Sequence, residues 1–285
     1  MRARAAILLA PFQGLLRMLS SVERGEFDRL GIVRLRGSIA SAEVARMREQ
    51  LWTALRRQHG VCCEAPETWT IPRPSGFQGL VRSGAFAPMP SVRVCEALDD
   101  LFSEASWQKP GRWGQALVTF PGSGPWDVPH KHWHFDLVPD TSISELPGVV
   151  IFAYLDAVEP RGGGTVAVTG SHRLVEAFAP RISTSGPIRS AEIREALLRA
   201  EPWLAALRTR TTGMDRIRTF MEEHLRSDGA TLQVVELTGE PGDVVLMDVR
   251  LLHAPAPNCR TAPRLMLAQR IYRTQEEKRV PTSTP

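Results

Sequence analysis

Apolar and polar positions along this chain follow two periods. Val44, Met47, Leu51 and Leu55 recur at three- and four-residue steps, the spacing that lines one face of a helix. With Ser41 as N-cap they predict a helix over residues 42–59, after a short helix over 23–29 and a strand over 31–36. A further helix is predicted over 92–105. Strand-type runs follow at 113–120, where Pro121 and Gly122 stop the pattern, at 148–155, and at 165–168. The triplet Gly162, Gly163 and Gly164 before the last of these reads as a hairpin turn. Residues 189–227 switch to helix, with segments at 191–200 and 214–225, and strands return at 232–237, 244–248 and 264–272. Residues 64–92 are rich in Pro and Gly and read as a long, structured loop, a type of segment that often carries function.

Many short strands between Gly/Pro turns, a helical N-terminus and one helical insertion predict a mainly β chain with helices (α+β), built on a jelly-roll or barrel core. Regular strand–helix alternation is absent, and no Gly-x-Gly-x-x-Gly follows a strand, which argues against a Rossmann fold. No helix with Lys-Ser/Thr follows the glycine triplet, so it is not a phosphate loop.

Composition narrows the picture modestly. A length of 285 residues, 43% hydrophobic and 23% charged, suits an ordinary globular chain with a full core. The net charge of +4 comes without a Lys/Arg block, so no nucleic-acid partner is expected. Cys62, Cys63, Cys95 and Cys259 form no C-x-x-C pair and read as reduced thiols of a cytoplasmic protein. Residues 1–19 are a weak signal-peptide pattern: Arg2 and Arg4 precede an apolar run that Pro11, Gln13 and Arg17 interrupt. The run is also too short to span a membrane, and an amphipathic helix or a start at Met18 fits better. The expected organisation is an N-terminal extension over 1–21, a single domain over 22–274, and a polar, flexible tail over 275–285.

Candidate chemistry concentrates in residues 130–136, where His130, His132, His134 and Asp136 alternate with Lys131, Trp133 and Phe135. In an extended strand the four would share one face. A mononuclear iron(II) oxygenase site needs two histidines and one carboxylate, with the opposite side left open. His134-x-Asp136 supplies two donors aimed at one point, and His253, after the strand 242–248, is the strongest candidate for the third. Arg264 opens the last strand and could hold a carboxylate through two parallel hydrogen bonds.

Four ordered blocks make a specific resemblance. They are residues 26–36 with the helix from Ser41; 133–136; 152–156 with 162–173; and 242–248 through His253, Asn258 and Arg264. Together, over residues 22–273, the chain resembles the phytanoyl-CoA dioxygenase family of iron(II)/2-oxoglutarate oxygenases. The resemblance implies a distorted double-stranded β-helix (jelly roll), iron(II), and 2-oxoglutarate and dioxygen as co-substrates. It implies His134, Asp136 and His253 as iron ligands and Arg264 as partner of the distal 2-oxoglutarate carboxylate. Phe152 stands where the family often has a pocket-lining tryptophan, and Pro255 where many members carry a hydroxyl. Gln115 is the candidate for the contact that hydroxyl would make. In related halogenases a small residue replaces the carboxylate ligand, so Asp136 favours oxygen transfer.

Around the ligand set, His132 is expected to line the pocket, His130 to sit at its rim, and His172 to pack its turn. Substrate selection is expected from the loop 64–92, with Trp69, Arg73, Phe77 and Arg82 as candidate contacts, and from the insertion 189–227 as a lid. Other metal patterns fit less well. A metallo-β-lactamase motif would need histidine where Leu137 stands, a cupin would need a glutamate well before Glu145, and structural zinc would need closely spaced cysteines. The expected activity is a dioxygenase that hydroxylates or otherwise oxidises a C–H bond of a small molecule, releasing succinate and CO2. The competing readings are a non-catalytic metabolite-binding member of the fold and a zinc hydrolase on the same ligands.

Overall fold

Two antiparallel sheets face each other, and helices cover the outer face of each. The structure is a computed structural model and describes residues 19–103, 106–138, 145–182 and 190–274. The expectations for residues 1–18 and for the tail 275–285 lie outside the described residues.

Three helices pack on the first sheet: α1 (Ser21–Leu30), α2 (Ser41–His59) and, after the short α3 (Gln78–Ser83), α4 (Val92–Phe102). Helix α1 begins earlier than its periodicity predicts because Ser20 and Glu23 form a reciprocal capping box. Helix α2 begins at Ser41 itself. Its N-cap is Ala40, which offers no side-chain acceptor, so the helix start is held by its buried face of Val44, Met47, Leu51 and Leu55. The loop 64–92 is structured: it holds a turn of 3₁₀ helix at Pro66–Thr68 and the helix α3.

The first sheet has the order β1-β7-β3-β9-β2, formed by β1 (Ile32–Leu35), β2 (Gln115–Thr119), β3 (Gly148–Tyr154), β7 (Val244–Asp248) and β9 (Arg264–Tyr272). The second has the order β5-β6-β4-β8, from β4 (Thr165–Thr169), β5 (His224–Leu225), β6 (Thr231–Glu236) and β8 (His253–Pro255). All named pairs are antiparallel, and both sheets keep two open edges, so no barrel closes among the described residues.

Alternation along the strands separates three buried clusters. Ile151, Ala153, Leu246, Leu265 and Leu267 join α2 and α4 outside the first sheet. Val150, Phe152, Tyr154, Val245, Met247, Met266 and Ala167 fill the space between the sheets. Val166, Val168, Leu232, Val234 and Ala254 meet the helices of the second sheet's outer face. β3 is buried along its whole length because both its faces are covered.

The second helical layer differs from the sequence expectation. α5 (Ser171–Ile182) starts inside the segment read as a turn, and Leu174, Val175 and Ala179 bury its inner face. α6 (Ser190–Ala200) lies close to expectation. α7 (Pro202–Arg208) opens on a proline, which a first helical turn accepts because that N–H needs no partner. α8 (Arg216–Met221) is shorter than predicted, since residues 224–225 pair with β6 as β5. Ile193, Leu197, Trp203, Leu204, Leu207 and Phe220 share one cluster with the sheet, so the insertion is a packed layer.

Candidate metal centre

His134, Asp136 and His253 come together on the inner side of the second sheet. Each can offer one donor atom such that all three lie within 4.8 Å of one another. The convergence is built from backbone pairing. His134 N–H donates to His253 O at 2.9 Å, and His253 N–H donates to His134 O at 3.0 Å. Asp136 N–H donates to Val249 O at 3.1 Å. Alternation holds over 133–136, with Trp133 and Phe135 buried in the outer cluster and His134 and Asp136 turned inward.

The alternation does not extend back to His130. The chain bends at His130 and Lys131, and His132 follows with φ +65°, in the left-handed region. The face expected to carry three histidines is therefore split. His134 and Asp136 line one cavity, and His130 and His132 line its neighbour.

Both ligand-type imidazoles are oriented by their own backbone. His134 Nδ1 lies 2.8 Å from His132 O and His253 Nδ1 lies 2.9 Å from Leu251 O. A carbonyl only accepts, so Nδ1 is the nitrogen that carries the proton in the neutral ring, and in that form Nε2 is left with a bare lone pair. His253 Nε2 stands 3.4 Å from Asp136 Oδ2, and His134 Nε2 4.0 Å from Asp136 Oδ1. Two bare ring nitrogens and a carboxylate converging on one point form a donor set that suits iron(II). Burial and the nearby His253 lower the His134 pKa.

Arg270, which sequence reading missed, donates through Nε to Asp136 Oδ1 at 2.9 Å. Burial by itself would raise the Asp136 pKa, but the His253 ring in its protonated form, and then Arg270, outweigh it and bring the carboxyl down to about 2; beside the neutral ring, Arg270 is the cation that remains. Tyr272 donates its hydroxyl to Asp136 O at 3.0 Å, fixing the backbone of the same residue. A period-two step from Arg264 along β9 (264, 266, 268, 270, 272) would have pointed to both.

Arg264 shares a cavity of about 380 Å³ with the triad. Its side chain is buried, Nη1 donates to Gly163 O at 2.7 Å, and Nε has no partner. Burial, then the charge of Arg73, pushes its pKa down to about 10, still cationic at neutral pH. Among the described residues no carboxylate forms an ion pair with it, and a buried guanidinium so placed is costly unless an anion arrives.

The glycine triplet positions this arginine. A Cβ on Gly164 would lie 2.4 Å from Leu237 O, and one on Gly163, at φ +82°, 2.9 Å from the Asn258 Cβ. Glu236 accepts from the N–H of Arg161 at 2.6 Å and of Gly164 at 3.1 Å, pinning the turn whose carbonyl holds Arg264. Asn258 bonds Thr119 O at 3.1 Å and Ala262 O at 2.8 Å, which fixes the approach to β9.

Phe152 and Gln115 line the same cavity, as do Val150, Leu117, Ala268 and Arg73. Pro255 lines it as well and offers no hydroxyl. The other candidates lie elsewhere. Phe77 is buried and, with Arg82, lines a separate cavity that Gln115 also reaches. Trp69 stacks on Phe120 at 5.2 Å and donates to Cys62 O at 2.8 Å, inside the helical layer. His172 is buried and bonds Asp28 O at 3.3 Å, a packing role. No helix among the described residues is long and apolar enough to cross a membrane.

Residues 27–266 match the family described as Phytanoyl-CoA dioxygenase (PhyH). Among solved structures, EctD from S. alaskensis with 2-oxoglutarate and 5-hydroxyectoine is 18% identical, with TM-score 0.55 over 90% of this chain and 77% of its own. HygX from Streptomyces hygroscopicus with nickel and 2-oxoglutarate bound is 16% identical, with TM-score 0.53 over 90% of this chain and 88% of its own. The epimerase SnoN in complex with Fe3+, alpha ketoglutarate and nogalamycin RO is 16% identical, with TM-score 0.52 over 88% and 82%. At these identities the likeness is one of fold. No curated protein matches the chain.

Proposed function

The chain belongs to the phytanoyl-CoA dioxygenase family, and from that premise we propose that it is an iron(II)/2-oxoglutarate-dependent dioxygenase acting on a small molecule. The observation that carries the reading is the joint content of one cavity: a His-Asp-His donor set and a buried, unmatched guanidinium. The first takes a divalent metal, the second an anion, and 2-oxoglutarate is a chelating keto acid with a carboxylate at its far end. HygX with nickel and 2-oxoglutarate and SnoN with Fe3+ and alpha ketoglutarate support the pairing. The core is then a distorted double-stranded β-helix within an oxygenase domain over 22–274. The four free cysteines accord with a cytoplasmic setting.

In this reading His134 Nε2, His253 Nε2 and the Asp136 carboxylate hold the iron, and Arg264 receives the distal carboxylate of 2-oxoglutarate. Iron(II) with 2-oxoglutarate and dioxygen supplies oxidative decarboxylation to succinate and CO2, coupled to oxidation of a substrate C–H bond. The chain's residues do the positioning. The Nδ1–H bonds to His132 O and Leu251 O keep both ring lone pairs on the metal point. Arg270 holds the Asp136 carboxylate in orientation and ionised. Gly163 O aims Arg264, and Val150, Phe152, Leu117 and Ala268 keep the cavity walls apolar, which strengthens the guanidinium–carboxylate contact. Phe152 and Gln115 flank the co-substrate. Hydroxylation is the proposed outcome.

The test is anaerobic addition of iron(II) and 2-oxoglutarate. A visible charge-transfer band is expected in the wild type and lost in Arg264→Gln at the same 2-oxoglutarate concentration. A folded wild-type protein that binds iron(II) yet shows no band at saturating 2-oxoglutarate would sink the proposal.

A further inference from the structure

A second cavity of about 420 Å³ adjoins the metal centre, and Arg73 and Pro255 line both. Among the described residues the charges on its walls are one-sided: Arg73, Lys131, Arg210 and Arg216 against Asp127 alone. Lys131 and Arg210 are exposed and make no ion pair or hydrogen bond among the described residues. His130 and His132 also line it, where the chain bends at residues 130–131 and His132 turns left-handed.

Arg216 sets the character of this cavity. Its guanidinium is buried and spends its donors on carbonyls: Val128 O at 3.0 Å, Thr209 O at 2.8 Å, Leu207 O at 2.6 Å and Pro129 O at 3.1 Å. Those bonds staple residues 128–129 to the end of α7, but carbonyls do not neutralise a charge. Asp127, the one carboxylate paired with it among the described residues, is 3.9 Å away, with a side chain 54% exposed. A buried charge is screened less than a surface one, so its field persists in the cavity. Small burial, then Lys131, Arg216 and Arg210, lowers the pKa of His130, a sign of the same positive field.

We propose that this cavity is the substrate's anchoring site and takes a phosphate group, so that the oxygenase acts on a phosphorylated small molecule. Three permanent cations with free approach and a fourth beneath the floor match a dianion better than a single carboxylate charge. The geometry sets the reach. His132 and His130 stand two and four residues from His134, so even a fully extended chain puts the His130 Cα no more than about 14 Å from that of His134, and the shared walls put both cavities within reach of one small molecule. The oxidised carbon sits over the metal centre, and Arg73, on both walls, marks the passage. The position of that carbon rests on the oxygenase reading; the phosphate site does not.

Protein saturated with nickel(II) and 2-oxoglutarate, which fills the Arg264 site, is titrated calorimetrically with phenyl phosphate and with benzoate. Phenyl phosphate should bind at least tenfold more tightly than benzoate and weaken as salt rises. The double variant Lys131→Gln/Arg210→Gln should lose at least tenfold in phenyl phosphate affinity and change 2-oxoglutarate affinity less than twofold. Both residues are exposed, so the variant folds, and its thermal midpoint checks this. Equal binding of the two probes, or an unchanged double variant, overturns the phosphate site. The iron(II)/2-oxoglutarate band separates the two ideas. A band without phosphate binding sinks only the anchoring site; phosphate binding to the protein alone, without a band, sinks the oxygenase reading and leaves the site.

Discussion

His134 and His253 are cross-strand partners whose backbones exchange both hydrogen bonds, and their rings stand 4.2 Å apart. Two residues 119 positions apart (253 minus 134) are thereby locked into one register, with Asp136 one alternation further along. Either histidine can be truncated without loss of these backbone bonds. His253→Ala and Asp136→Ala should therefore fold, yet lose most metal affinity. The measurement is the metal-induced rise in thermal midpoint, about 2.7 kcal/mol of stabilisation at a hundredfold excess over Kd, which both variants should lack. A rise of wild-type size in either would contradict the assigned donor set.

Arg270 holds the Asp136 carboxylate without touching the metal point. Groups in that position typically tune metal affinity by about 10- to 100-fold. Arg270→Gln should weaken iron(II) binding on that scale, and Arg270→Lys should recover part of it. Equilibrium competition with a chelator reads the difference. An unchanged affinity in Arg270→Gln would mean that the Asp136 orientation comes from Tyr272 and the backbone alone.

Arg264 is a buried charge whose proposed partner is the distal carboxylate of 2-oxoglutarate. Arg264→Met removes that desolvation cost, so the ligand-free thermal midpoint should stay level or rise, despite the lost bond to Gly163 O. The 2-oxoglutarate-induced shift should disappear, since removing one partner of a buried charged pair costs about 2–5 kcal/mol. Differential scanning with and without 2-oxoglutarate shows both effects. A lowered ligand-free midpoint with the shift intact would make Arg264 a structural residue.

The turn 162–164 is expected to tolerate no Cβ at Gly164, where one would meet Leu237 O at 2.4 Å. Overpacking against backbone costs about 1–3 kcal/mol. Gly164→Ala should lower the urea midpoint and, by shifting Gly163 O, weaken 2-oxoglutarate binding more than metal binding. Equal losses in both would mean that the turn acts on the centre as a whole.

Glu236 should give the stability a defined pH dependence. Burial raises its pKa, although the backbone N–H groups of Arg161, Gly164 and Gly163 pull the other way. An acid whose folded pKa lies above its unfolded value contributes stability below the unfolded pKa and loses it as pH rises through the folded pKa. The window thus begins near the ordinary value of 4.5 and extends above it. Glu236→Gln does not titrate, so the variant should gain on the wild type between pH 4 and pH 7. Urea midpoints at the two pH values, compared between the proteins, test the sign.

Much of the fold was legible because burial imposes period. The helix face of Val44, Met47, Leu51 and Leu55 and the strands at β3, β7 and β9 are each covered on a known side, and the side chains had to follow. Where the pattern was mixed, tertiary packing decided. α5 was hidden behind a turn-like Gly-Ser-His-Arg, and residues 224–225 left the helix because β6 offered a sheet edge.

By itself the sequence determined the chemical inventory: a His-x-Asp pair, a distant histidine, an arginine opening the last strand, and the order of the blocks around them. What it did not contain was convergence. Period two in residues 130–136 describes a face only while the backbone stays extended, and the left-handed turn at His132 ends that condition. The tertiary structure therefore sent His134 and Asp136 to His253, and His130 and His132 to the basic cavity beside it. It also brought Arg270 to Asp136 and buried Arg264 with no carboxylate paired to it among the described residues, since both depend on which strands pair across the sheet. Pairing register is a long-range property, set when the two clusters outside the sheets and the one between them are buried together.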